Sequence, residues 1–170
     1  MAASSDISAR TRTLRRVPAL LGGFARMPWA DKAMLSAAWL LLALAAAALR
    51  LFPFRRLAPL LGEALGPTAS IPVLGERDAD RARLIRRSVV RAARIAPFRS
   101  DCLPQALAGA VLCRALRLPA TVFFGVRLEG SAPRMAAHAW LCTGPVAVTG
   151  GQSFDSFTVV AAFALPGRPV

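Results

Sequence analysis

Apolar and polar positions change period partway along this 170-residue chain. From Met34 to Leu49 there is no charge, and Ser36 is the only polar residue, so Ala33 to Phe52 is predicted as one apolar helix ended by Pro53. Phe54-Arg55-Arg56-Leu57 then starts a short amphipathic helix that stops at Gly62 or Gly66. Pro67 to Gly75 reads as a linker. Asp78 to Ile95 reads as a helix with Leu84, Val89, Val90 and Ile95 on one side and Arg83, Arg87, Arg91 and Arg94 on another. Pro97 ends it, and Ser100 is the predicted N-cap of an apolar helix running from Cys102 to about Leu116. Pro104 falls in the first turn of that helix, where a missing N–H costs nothing.

Beyond Leu118-Pro119 the period becomes that of strands. Ala120 to Leu128 is β-branched and aromatic, Glu129 to Pro133 is a turn, and Ala136 to Cys142 is the next strand. Thr143-Gly144-Pro145 turns into Val146 to Thr149, Gly150-Gly151 breaks it, and Phe157 to Phe163 is a fourth strand. N-terminal helices followed by a small antiparallel sheet make an α+β fold. The expected organisation is a basic arm over 1–32, an apolar plus a short amphipathic helix over 33–66, and one catalytic-sized domain over 67–170.

Composition changes this picture in three places. The uncharged run falls somewhat short of the ~20 apolar residues of a membrane span and is Ala-rich at its centre, so a buried or interface-lying helix and a true span both stay open. The net charge of +13, carried mostly by Arg, favours anionic partners: an acidic peptide, an acidic lipid surface or nucleic acid. Nucleic acid is disfavoured, because no recognised motif and no aromatic stacking platform accompanies the Arg. The three cysteines, Cys102, Cys113 and Cys142, are spaced too widely for a metal knuckle or redox pair. With no signal peptide apparent, reduced thiols in the cytoplasm are expected, with membrane association open and no cofactor implied.

Cys102 sits where a helix begins, among backbone N–H groups without partners, a position at which the helix dipole favours a thiolate. Cys113, eleven residues on, is about 16 Å away along the helix and reads as core. The only histidine, His138, shares a strand face with Ala136, Trp140 and Cys142. A helix-start Cys with a single later His suggests a nucleophile and its base.

The combination Cys102-Leu103-Pro104-Gln105-Ala106-Leu107, Gly125-Val126-Arg127, Ala137-His138-Ala139-Trp140-Leu141 and Val148-Thr149-Gly150-Gly151 resembles the lasso-peptide leader peptidases, a transglutaminase-like family. The resemblance spans about Ala33 to Phe163 and implies hydrolysis of one peptide bond, with Cys102 as nucleophile and His138 as base. It also implies three partners: a precursor peptide, a separate leader-recognition protein and an ATP-dependent macrolactam cyclase. The family's third member is a carboxylate on the strand after the His, but Val146 to Gly151 holds none. Asp155, the only later carboxylate, is one candidate to orient His138; a neutral group or a backbone carbonyl is the other.

Overall fold

A computed structural model describes residues 27–67, 71–129, 134–151 and 154–167, so most of the basic arm and most of the turn before Arg134 lie outside the described residues. Helix α1 spans Trp29–Leu51, four residues earlier than the uncharged run suggests, and ends before Pro53. Phe54–Leu57 forms one helical turn, α2, continued by a 3-10 turn over Ala58–Leu61. Helix α3 covers Glu76–Ile95 and α4 covers Cys102–Ala115. The strands are β1 Glu63–Gly66, β2 Ala120–Glu129, β3 Arg134–Thr143, β4 Val146–Thr149 and β5 Thr158–Leu165.

The fold is α+β, as the switch in period predicts. The sheet has five strands in the order β1-β5-β2-β3-β4, each bonded antiparallel to its neighbours. The pattern missed β1: its four residues are all exposed and carry no alternation, and they are held to β5 by backbone bonds rather than by a buried face. β5, β2 and β3 are flanked by strands on both sides.

The two faces of the sheet are covered differently. On one face, α4 packs so closely that a Cβ on Gly109 would come 2.7 Å from Leu141 Cδ2 and 3.6 Å from Val148 Cγ1. Phe54 of α2 joins that layer, its ring meeting those of Phe124 and Phe163 edge-on at 5.5 and 6.3 Å. Helix α3 buries Ala79, Ala82, Ile85, Ser88, Val89 and Ala92. The contact line runs through Ala79, Ala82, Ile85, Val89 and Ala92, so it takes in Val89 of the predicted apolar side but not Leu84, Val90 or Ile95, and Ile95 is left exposed. The opposite face holds the stacked rings of Phe123 and Trp140, 5.6 Å apart, with Cys142 and Ala162 beside them. Phe154 and Phe157 cover this second layer.

Helix α1 buries only a narrow line, Leu35, Ala38 and Leu42, while Leu40, Leu44 and Leu51 are exposed. Among the described residues it is the one helix long and apolar enough to cross a bilayer, by length and composition alone.

Candidate active site

Cys102 is the first residue of α4, and the N-cap is Asp101 rather than the expected Ser100. Ser100 is occupied elsewhere: its hydroxyl donates to the Ala93 carbonyl at 3.1 Å, and its own carbonyl accepts from Gln105 Nε2 at 2.7 Å. These two bonds tie the segment before Cys102 back to α3 and forward to the first turn of α4. Asp101 gives the helix no side-chain cap; its carboxylate pairs with Arg99 at 3.2 Å. The N–H groups at the start of α4, that of Cys102 among them, therefore have no capping side chain and remain available to an incoming anion.

The three thiols are all free and differ in environment. Cys113 and Cys142 are buried, and desolvation pushes their thiols up to about 12 and about 11. Cys102 alone is half-buried and in reach of solvent.

His138 lies in β3 opposite Gly125 of β2. Its ring stacks on Trp140 at 6.0 Å and tilts against Phe157 at 5.1 Å, so two aromatic walls fix its plane. The missing Cβ at Gly125 makes this possible, since one there would stand 2.8 Å from Phe157 Cβ and from the far edge of the Trp140 ring. Among the described residues β4 pairs with β3 only over Leu141–Thr143, and none of them pairs with β3 at His138 on that side.

The polar partner of His138 is a backbone group, with Nε2 lying 3.1 Å from the Gly150 carbonyl oxygen. A carbonyl can only accept, so in the neutral imidazole Nε2 carries the proton and Nδ1 holds the free lone pair. Gly150 has φ +76°, and a Cβ there would stand 2.4 Å from Trp140 Cβ and 2.9 Å from the Ala139 carbonyl oxygen. The carbonyl therefore reaches the imidazole because position 150 has no side chain. Asp155 is exposed and makes no hydrogen bond to His138. Sequence reasoning left a backbone carbonyl open as the orienting group but could not locate it, because any residue supplies one. The glycine pair was its only trace.

Cys102 and His138 are not joined by a hydrogen bond. Helix α4 feeds through Leu116–Pro119 into the start of β2, which pairs with the end of β3 at Thr121 and Cys142. From Gly109 back to Cys102 the helix covers about 10 Å, and from Leu141 back to His138 the strand covers about the same. The helix packs on the Leu141 face at Gly109, whereas the imidazole shares the Trp140 face. Among the described residues no three His, Cys, Asp or Glu side chains gather as metal ligands would.

A family model described as transglutaminase-like superfamily matches residues 48–162, a span that includes Cys102, His138 and all five strands apart from the end of β5. No curated protein and no solved structure matches the chain. A match over more than half of the chain, on an α+β fold with a cysteine opening a helix packed on the sheet that carries the histidine, places the chain in the transglutaminase-like superfamily, whose enzymes are cysteine peptidases and acyltransferases.

Proposed function

We propose that the chain is a cysteine peptidase that removes the leader from a ribosomally made lasso-peptide precursor, with Cys102 as nucleophile and His138 as base. The observation that carries this reading is the free lone pair on His138 Nδ1, left by the bond from Nε2 to the Gly150 carbonyl. Further support comes from the environments of the thiols, of which only Cys102 is accessible at a helix start with uncapped N–H groups. The family resemblance of the sequence motifs supplies the substrate class and the partners: a separate leader-recognition protein and an ATP-dependent cyclase that acts on the released core.

In the reaction Nδ1 takes the Cys102 proton and the sulfur adds to the scissile carbonyl. The carbonyl oxygen becomes an oxyanion that the Cys102 N–H stabilises. The imidazolium returns its proton to the departing amine, leaving a thioester on Cys102. A water then gives one proton to Nδ1 and adds to the thioester, and collapse restores the thiol and releases a carboxylate. The Gly150 carbonyl accepts from Nε2 in both the neutral and the charged imidazole, so it orients the base throughout the cycle without carrying a charge. For the first proton transfer the Cys102 thiol must come within hydrogen-bonding reach of Nδ1 in the substrate complex.

The test uses precursor peptide, the recognition partner and purified chain, read by mass spectrometry. Cys102→Ala and His138→Ala each abolish cleavage while the proteins stay folded. In water enriched in oxygen-18 the new carboxylate carries the label. Cleavage by Cys102→Ala refutes the assignment, and an unlabelled product bearing an added amine shows acyl transfer instead.

A further inference from the structure

The mechanism makes no use of the Arg of α3. Arg83 is paired with Asp80 at 2.6 Å, but Arg86 and Arg87 make no ion pair among the described residues. All three line a cleft of about 390 Å³ whose other wall is Pro145 and Val146 at the β3–β4 turn. Arg86 and Pro145 also border an adjoining cleft of about 440 Å³ that continues past Gly144 to Gly151, Phe154 and Asp155. Gly151 is the chain neighbour of Gly150, whose carbonyl holds His138, and Phe154 packs on Trp140 with ring centres 5.2 Å apart. A continuous groove thus starts at exposed guanidinium groups and ends at the loop that supports the imidazole.

We propose that this groove holds an acidic segment of the substrate peptide, with carboxylates at Arg86 and Arg87; the inference rests on the peptidase reading. The planar guanidinium fork suits carboxylates in bidentate fashion, and two unpaired guanidinium groups one residue apart are otherwise left in mutual repulsion. A peptide anchored there extends along Pro145 and Gly151 and brings its next residues to His138. Asp155, the one carboxylate on the groove wall among the described residues, stands at the far end, where it repels acidic residues and so sets the direction of the anionic stretch. Arg94, on the same helix, lines neither cleft.

The test separates binding from chemistry by using Cys102→Ala throughout. A fluorescein-labelled ten-residue peptide of alternating Glu and Ala is titrated by anisotropy at low salt. Its Gln-for-Glu counterpart, a single-stranded deoxyoligonucleotide and phosphatidylglycerol vesicles serve as competitors. Binding is expected to weaken roughly fivefold or more in Arg86→Gln/Arg87→Gln, to fall as salt is raised, and to be unchanged in Arg94→Gln. Circular dichroism confirms that each variant is folded, and Arg86→Lys/Arg87→Lys, which keeps the charge but not the fork, is expected to recover only part of the affinity. Equal loss in Arg94→Gln overturns the groove in favour of overall charge. Equal or stronger binding of the oligonucleotide or the vesicles overturns the acidic-peptide assignment. Because the probe binds without a nucleophile, either failure leaves the Cys102 reading standing, whereas cleavage by Cys102→Ala in the earlier test refutes the peptidase reading without changing the affinity measured here.

Discussion

Replacing Gly150 by Ala perturbs the support of the only imidazole in the chain, and Gly151 provides its own control next door. Both glycines have positive φ, +76° and +68°, so an L-residue at either costs about 1–2 kcal/mol in backbone conformation alone. At Gly151 nothing lies within 4 Å of the added Cβ, so that is the whole cost. At Gly150 the Cβ stands 2.4 Å from Trp140 Cβ and 2.8 Å from its Cα, atoms that cannot swing aside. Trp140 is fully buried and stacked on Phe123, so the loop must lift instead, adding the ~1–3 kcal/mol typical of overpacking. Gly150→Ala is therefore expected to be less stable than Gly151→Ala by about 2 kcal/mol. With a urea slope of ~2 kcal/mol/M its midpoint falls about 1 M below that of the control. The same lift pulls the carbonyl off Nε2. Nitrogen-15 spectra of the single histidine should show the neutral Nε2–H form dominating in the wild-type protein and in Gly151→Ala, with the two tautomers more evenly populated in Gly150→Ala. Equal urea midpoints for the two variants, or an unchanged tautomer ratio, would refute the claim that the packing of Gly150 on Trp140 positions the base.

Thr149 Oγ1 is buried with no hydrogen-bond partner among the described residues, so Thr149→Val, which keeps the shape and removes the stranded hydroxyl, should raise stability by about 1 kcal/mol in urea unfolding. In native protein at pH 7–9 a thiol reagent should modify Cys102 alone, because burial holds Cys113 and Cys142 protonated; peptide mapping of the adduct checks this, and labelling of Cys142 at a similar rate would contradict it. Burial raises both thiols above the ordinary cysteine range, so they bind protons more tightly folded than unfolded. Their contribution to stability is complete below about pH 9 and declines as pH rises toward 11–12, by up to ~1.4 kcal/mol per pH unit for each thiol. Cys113→Ala and Cys142→Ala should each flatten that alkaline decline.

Local chemistry made much of this fold legible. A long uncharged run, a polar-apolar repeat at helical spacing and a later β-branched alternation imply helices before strands, because backbone periodicity decides which side chains share a face. The same rules put Cys102 at a helix start and His138 beside Trp140. Other features depend on groups that sequence does not distinguish. β1 is held by backbone bonds to β5 and carries no pattern. The N-cap moved to Asp101 because the Ser100 hydroxyl reaches the Ala93 carbonyl, a bond to a different helix. The partner of His138 is a carbonyl that every residue possesses, singled out only because Gly150 can lie against Trp140. The face of the sheet that α4 covers follows from strand order and from the close approach at Gly109. Residue identity sets what each segment prefers locally; which segments meet, and through which backbone atoms, is settled only when their surfaces pack.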